Sequence, residues 1–588
     1  MKLYKLSLAL FLGFGAMSMT SCEDKLEVTN PNEQTTGTFG FTSDDLEECV
    51  IAAYHDLRME GSTGRVGYTI DAVRGDEVWN SSQVWYMPFD DMNDPVTDGI
   101  SFWPWREYYY AINVCNFILS RTTGDNAQLS ESMKRIKGQA LFIRGFAYYN
   151  LVGYYKDVPL ITDYSTYSSL DGLYGANNTS DEVLDQAEKD LKEAMKLLPN
   201  RQAGGEWAKG RATCGAAAGY YARTLMFRHK YSEALEVLKD IIGGTKYGKY
   251  KLMANYGDNF REGSAYENND ESLFEVQYLD YGTQGVDDEW TPVNVSPNAT
   301  QGHAVESNFA PGDFGGWADL SASPWLYNLF KEERTTAGKL DPRLYWTLGT
   351  YEKEWEGFEN GNVAYTKKIT ATDTLRTNNN YGGIPIAKWT NMRTGLYSSV
   401  ATGLRCGINL RMMRYSDVLL RAAECENEVN GPTEQAIKWI NEVRQRAGLA
   451  DLKLEDFNTK DKLFEQIANV ERPKEFGCEN GRGMDLIRWG FFYDNGRLDQ
   501  LKEHGTFYKS KTIDVKTPVT YAQTKTDPEH VKSSYDTYLP GHEFLPIFQT
   551  LLNNNPNLKG NSANDGIDNS TDFFGRGWTV HPVVDLSK

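Results

Sequence analysis

The sequence predicts a mostly α-helical fold in which stacked helical hairpins frame a loop-rich region with short strands. Three observations lead there. Apolar residues recur at three- and four-residue steps through both ends of the 588-residue chain. Two pairs of helical segments are joined by turns of only two or three residues. Between about 245 and 410 the helical period gives way to short stretches punctuated by Gly, Asn, Thr and Pro.

The elements follow in order. Helices are expected at 43–59 and 103–121. In 134–155, Ile136, Ala140, Ile143, Ala147, Leu151 and Tyr155 make one apolar stripe, and Gly138, Gly145 and Ala147 leave room for a neighbouring helix. Segment 180–198 opens on Ser180 as a capping residue, carries Val183, Leu184, Ala187, Leu191, Ala194 and Leu198 on one face, and ends at Pro199-Asn200. One hairpin joins 208–228 to 231–242 through His229-Lys230; another joins 412–429 to 433–447 through Asn430-Gly431-Pro432. Hairpins of about 34 residues with small residues at the contacts are the unit of tetratricopeptide repeats. Gly215, Tyr231 and Ala234 fit that unit, and such hairpins need stacked neighbours to bury their apolar faces. Further helices are expected at 323–333 and 460–477, and Ser272–Tyr278 alternates like a strand. Residues 281–325 and 350–405, and the tail after 505, read as long loops, which in compact proteins carry function. No linker interrupts the chain, so residues 41–588 read as one unit: helical repeats at about 43–245 and 410–490, a loop-rich part at about 245–410, and a loop-rich C-terminal part at 491–588.

Composition narrows the function. With 61 Lys+Arg against 81 Asp+Glu the formal charge is −20, and such a surface repels phosphate backbones, so no nucleic-acid partner is expected. Hydrophobic content of 40% argues against wholesale disorder. The aromatic share of 13% fits both cores and recognition platforms.

Met1–Ser21 begins with Lys2 and Lys5, continues through an apolar run from Leu6 to Met17, and stops at Cys22. The run is short for a membrane span and resembles a bacterial lipoprotein signal peptide, with Cys22 as the lipidated first mature residue and Met19-Thr20-Ser21 departing from the commonest pattern. Residues 22–40 then read as a lipidated flexible tether whose acids Glu23, Asp24 and Glu27 make it no polybasic membrane clamp. The remaining cysteines, Cys49, Cys115, Cys214, Cys406, Cys425 and Cys478, form no CxxC pair and are far apart, which favours buried thiols over a disulfide framework.

Several stretches in order carry a family resemblance. They are KGQALFIRGFAYYNLVGYYKDVPLI at 137–161, ESLFEVQY at 271–278 and Asp341-Pro342-Arg343. RYSDVLLRAAECENEVNGPTEQAIKWINEVRQRAGL follows at 414–448 and ERPKEFGCENGRGMDLIRWG at 471–490. Leu545-Pro546-Ile547 and Asn555-Pro556-Asn557-Leu558 close the series. In these the chain resembles the SusD/RagB family of outer-membrane nutrient-binding lipoproteins over nearly its whole mature length. It departs at Lys156, where a glycine is usual, and at Phe548, where a proline is usual. Arg414, Asp417, Glu424, Arg444, Glu471, Arg482, Asp485 and Arg488 stand among apolar helical positions and read as internal salt bridges and caps; Trp439 and Trp489 read as core.

The resemblance implies a cell-surface, lipid-anchored outer-membrane protein of a Gram-negative bacterium that captures glycan, without catalysis or cofactor, and lids a SusC-like TonB-dependent transporter. Sugars need rigid, exposed aromatic faces with polar groups nearby. Two loops offer them. In 74–89 these are Trp79, Trp85 and Tyr86, interleaved with Asp76, Asn80 and Gln83; in 281–325 they are Trp290 and Trp317. Trp103, Trp105 and Trp325 read as packing. The alternatives are peptide capture, as in RagB-like proteins, and a helical glycoside hydrolase. Against the latter there is no HExxH, GxSxG or Walker A motif, and the histidines have no ligand-like spacing. The stretch Asn564–Asp568 lacks a full calcium-loop pattern, so no metal is expected.

Overall fold

The computed structural model describes residues 40, 42–81, 83–168, 172, 174–279, 302–350, 352–355, 374–376, 383–393, 406–508, 512–514 and 531–588. Its elements begin with α1 (Ser43–Leu57), whose first turn is closed by a reciprocal cap between Thr42 and Asp45, and α2 (Arg65–Val73). Strand β1 (Val78–Asn80) follows, then α3 (Phe102–Arg121) and the long α4 (Glu131–Tyr155). Helix α5 (Ser180–Leu197) starts one residue earlier than the sequence implies: Thr179 caps it in a reciprocal pair with Glu182, and Ser180 is already inside.

Helices α4 and α5 approach closely because Gly145 faces α5; a Cβ there would lie 2.8 Å from Leu191 Cγ. The turn that ends α4 holds the first departure noted above. Lys156 occupies a left-handed conformation at φ 63°, which glycine adopts without strain, and its ammonium reaches Asn569 Oδ1 at 2.6 Å. The other, Phe548, has φ −59°, a value proline shares.

The first predicted hairpin is α6 (Cys214–Phe227) and α7 (Tyr231–Ile242), turned at His229 with φ 55°. Helix α6 starts at Cys214 rather than 208, because Gly204 and Gly210 break the preceding stretch and Thr213 supplies the cap. Strand β2 (Ser272–Val276), helix α8 (Val305–Phe309), β3 (Leu320–Ala322) and β4 (Thr374–Arg376) lie in the loop-rich part. Strand β5 (Leu410–Arg414) pairs antiparallel with β2, so Met412–Arg414, expected as helix, belong to a strand; both of its faces are buried, and a helical period cannot form there. It runs directly into α9 (Tyr415–Asn430), which Gly431 turns into α10 (Glu434–Arg446). The helix expected at 460–477 is broken into α11 (Lys460–Gln466), a π turn at Ile467–Glu471, and α12 (Arg472–Phe476) whose Pro473 has no N–H to continue the ladder. Helices α13 (Arg482–Arg488) and α14 (Asn495–His504) complete the helical part.

One apolar core runs from Leu46 to Leu558 and includes Trp439, while Trp489 anchors a second, smaller cluster with Phe464, Phe491 and Tyr535. The six described cysteines are buried free thiols. The motif charges form a buried lattice. Arg414 binds Glu271 at 2.6 Å, Glu475 at 2.9 Å and Glu479 at 2.7 Å. Asp417 binds Arg223, Arg421 and Arg472; Asp485 binds Arg421, Arg472 and Arg488; Arg488 also reaches Glu424; and Arg444 reaches Glu471. Burial opposes ionisation of Asp417 and Asp485, but the surrounding guanidinium groups outweigh it and hold both carboxyls far below the usual range. Removing one member of such a lattice strands its partners without water and costs about 3–5 kcal/mol.

Candidate functional site

The loop after α2 splits into two environments. Its first part, β1, pairs antiparallel with β3, placing Trp79 opposite Ser321. This corrects the expectation for Trp79: its ring is 1% exposed and stacks on Phe507, with centroids 4.1 Å apart and planes 3° from parallel. Asp76 is likewise a structural residue. It is fully buried, accepts from Arg482 Nε at 2.7 Å and Nη2 at 2.8 Å, and lies 2.8 Å from His504 Nδ1. Burial would raise its pKa, yet Arg482 and His504 prevail and hold it below the usual carboxylate range. Asn80 spends its carboxamide on the turn, donating to Gln83 O at 2.7 Å and accepting from Gln83 N at 2.9 Å. All three are thus committed to partners inside the fold.

The second part is a single turn, Val84–Tyr86. Tyr86 is fully buried, so the ligand platform expected of it is also corrected. Its hydroxyl lies 2.5 Å from Thr69 Oγ1 and accepts from Asn308 Nδ2 at 2.8 Å, which makes it the base on which Trp85 rests, ring centroids 3.8 Å apart. Trp85 itself is half-buried, and its neighbours Val84 and Met87 are exposed.

Trp317, from the other predicted loop, arrives at the same place. Its backbone N–H donates to Ser307 O at 2.7 Å, and the preceding Gly316 packs so tightly that a Cβ would lie 2.0 Å from Ala310 O. Trp317 is half-buried. Between the two indoles stands Arg65, its Cζ 5.0 Å from the Trp85 ring centroid and 5.4 Å from that of Trp317. The centroids therefore lie no more than about 10 Å apart. Arg65 is 1% exposed and is held by Glu60, which accepts from its Nε at 2.7 Å and also from Nη2. The backbone leading into it is clamped by the Glu107 carboxylate, which accepts from Gly61 N and from Ser62 N, the latter at 2.9 Å. Burial lifts the Glu107 carboxyl to about 7.

Two of the predicted aromatics thus converge, and four predicted residues, Asp76, Trp79, Asn80 and Tyr86, turn inward. Trp290 and Cys22 lie outside the described residues. Of the tryptophans set aside as packing, Trp105 is buried, whereas Trp103 and Trp325 are half-buried, Trp325 stacking on His504 at 3.8 Å. Sequence reasoning missed Arg65, Glu60 and Asn308. The usable signal for Arg65 was a lone cation inside Gly61-Ser62-Thr63-Gly64-Arg65-Val66-Gly67, a run whose tight backbone fixes whatever it carries. Chemically, the arrangement is two rigid, half-exposed aromatic faces on a cationic, hydrogen-bonded base, suited to stacking against the apolar faces of a ligand. Among the described residues no group of three His, Cys, Asp or Glu is placed to hold a metal ion, and no helix is long and apolar enough to cross a membrane.

Comparison with known proteins places this geometry in context. A sequence model described as the SusD family matches residues 270–565, and one described as starch-binding, associating with the outer membrane, matches residues 24–226. SusD-like protein P25 of Formosa agariphila is 26% identical over 530 residues, covering 84% of this chain and 91% of that protein. Among solved structures, a SusD superfamily protein from Bacteroides vulgatus superposes with a TM-score of 0.67 at 24% identity, covering 90% of this chain and all of the other. Surface glycan-binding protein A from Bacteroides thetaiotaomicron, solved in complex with laminarihexaose, superposes with a TM-score of 0.64 at 20% identity, covering 88% of this chain and 99% of that one.

Proposed function

The chain belongs to the SusD family, and on that premise we propose that it is a cell-surface glycan-binding lipoprotein that captures oligosaccharide without cleaving it and hands it to a SusC-like TonB-dependent transporter. The observation that carries the reading is the meeting of Trp85 and Trp317 over Arg65. Two aromatic residues from loops far apart in sequence are held at one surface, half-exposed, by a foundation that is itself buried. A preorganised pair of this kind binds without first ordering its loops, which saves ordering entropy. The glycan-bound relative of the same fold supports the ligand class. Cys22 would carry the acyl chains that keep the body at the outer membrane, and residues 22–40 would give it reach.

A binding screen over plant, host and microbial polysaccharides by affinity electrophoresis tests the reading. At least one neutral glycan should retard the protein, and the double variant Trp85→Ala/Trp317→Ala should abolish that retardation. Retardation by none, or retardation unchanged in the double variant, overturns the site. Incubation with a retarding glycan should release no reducing sugar; release would overturn the non-catalytic claim. Cys22→Ala should move the protein from membranes to the soluble fraction, and tagged protein should co-purify with a co-expressed transporter in mild detergent.

A further inference from the structure

A cavity of about 730 Å3 opens between the C-terminal turn of α3, the start of α4, residues 162–164 and the C-terminal half of α5, and shares no residue with the Trp85–Trp317 surface. That volume is in the range of built ligand sites. Its floor is rigid and buried: Arg144 donates from Nε and Nη2 to the two Asp190 carboxylate oxygens at 2.7 and 2.8 Å, and from Nη1 to Asn116 Oδ1 at 2.7 Å. Gln186 braces the same carboxylate at 2.7 Å. Tyr164, braced edge-on by Phe117 at 5.2 Å, lines one wall.

The rim carries four lysines, Lys137, Lys189, Lys192 and Lys196, against three acids, Asp125, Asp163 and Glu193, a local excess of cations although the whole chain carries −20. Lys189 and Lys192 are exposed and make no ion pair among the described residues. Lys137 bonds only to a neutral partner, Asn126 Oδ1, at 2.8 Å. Of the acids at the rim, Glu193 is paired with a lysine, while Asp125 and Asp163 keep their charge and only their hydrogen-bonding is satisfied locally. Asp125 accepts from Ala127 N, and Asp163 from Ser165, each within its own turn, while Glu193 is engaged by Lys196 at 2.8 Å and by Asn126. Amide and hydroxyl groups, one aromatic face and uncommitted ammonium groups together suit a polyhydroxylated ligand that also bears negative charge.

We propose that this cavity is a second saccharide site, and that it takes a segment carrying carboxylate or sulfate. The proposal rests on the glycan-binding reading above but not on the Trp85–Trp317 surface. Two sites on one body would let a long acidic polysaccharide engage both, which raises the apparent affinity through effective concentration.

Calorimetric titration of the mature protein with three probes decides it: a galacturonate oligomer (carboxylate only), a carrageenan oligomer (sulfate only) and laminarihexaose (neutral). At least one charged probe should bind, and which one binds tells carboxylate from sulfate. Lys189→Glu/Lys192→Glu should weaken that probe about tenfold or more and leave any binding of the neutral probe unchanged. Trp85→Ala/Trp317→Ala should change the charged probe by less than about threefold, and affinity should fall as ionic strength rises from about 0.05 to about 0.5 M. Binding of neither charged probe, binding unaltered by the lysine reversal, or binding abolished by the tryptophan pair overturns the proposal. The first of these leaves the glycan-binding reading standing if any neutral glycan in the screen binds. Lys189→Gln/Lys192→Gln, which removes the charge without reversing it, stands in should the reversal fail to fold, with the same criteria.

Discussion

Strand Val78–Asn80 and turn Val84–Tyr86 are separated by three residues and carry nearly the same composition, yet they do opposite work. Trp79 is sealed between Phe507 and the residues of β3, and Trp85 lies half-open on Tyr86 and Arg65. The difference comes from what each segment finds across the fold. The strand meets another strand and a distant aromatic, which exclude water from both faces. The turn meets the Tyr86 ring and a buried cation, which together leave the Trp85 indole only partly covered. Whether an aromatic in a loop is core or platform is therefore settled by its long-range partner.

The sharpest way to break this comparison is at Trp79. Trp79→Ala should destabilise the protein by about 3–5 kcal/mol, read as a lowered midpoint in chemical denaturation, while glycan affinity of the remaining folded fraction stays the same. A selective loss of affinity would make Trp79 a ligand residue after all. Next in size, Trp85→Ala or Trp317→Ala alone should cost about 2 kcal/mol of binding, roughly thirtyfold in Kd by titration, with little change in thermal midpoint.

Buried carboxyls, one of them beside Trp79, set the pH response of the fold. Beside Trp79, burial lifts Glu77 to about 8, and elsewhere it lifts Asp94 to about 7 and Glu267 to about 7, from ordinary values of 4.5, 3.8 and 4.5. A carboxyl whose folded pKa is raised binds its proton more tightly when folded, so it lowers stability as pH climbs from the ordinary value through the raised one. Asp76, Asp417 and Asp485 are depressed instead, and their contribution is lost as pH falls below about 4. Thermal midpoints should therefore peak near pH ~5 and decline toward pH ~8. Glu77→Gln, which can still accept from Cys478 N, should flatten part of that decline; an unchanged slope would show that Glu77 is not its source. The smallest effect belongs to the rim of the turn. Val84→Ser, at a side chain 74% exposed, should change stability by less than about 0.5 kcal/mol, and a larger loss would mean the turn is packed rather than open.

Much of the helical scaffold was legible in the sequence because periodicity and caps are local: the stripe from Ile136 to Tyr155, the hairpin turns at His229 and Gly431, and the close approach at Gly145 all stand as read. The inward charges from Arg414 to Arg488 could be read because charge on an apolar helical face demands a partner. What could not be read depends on pairing at long range. Met412–Arg414 look helical until β2 is beside them, and Pro473 breaks a helix whose apolar pattern continues past it. Of the site, Trp85 and Trp317 were visible as aromatics in irregular loops. Arg65, which unites them, was not, because its glycine-bracketed run marks a tight backbone without showing which rings it meets.

The bond between Asp76 and Arg482 spans 406 positions of the chain, and it closes beside the strand that leads into the ligand turn. A contact of such span is among the last to repay its loop-closure entropy, so the N-terminal third cannot mature before the segment around residue 482 is present. The buried Asp76 stays uncompensated until residue 482 arrives. The strand leading to the Trp85 turn accordingly takes its final setting only in the completed polypeptide, and a chain cut before residue 482 would leave Asp76 buried without its cation.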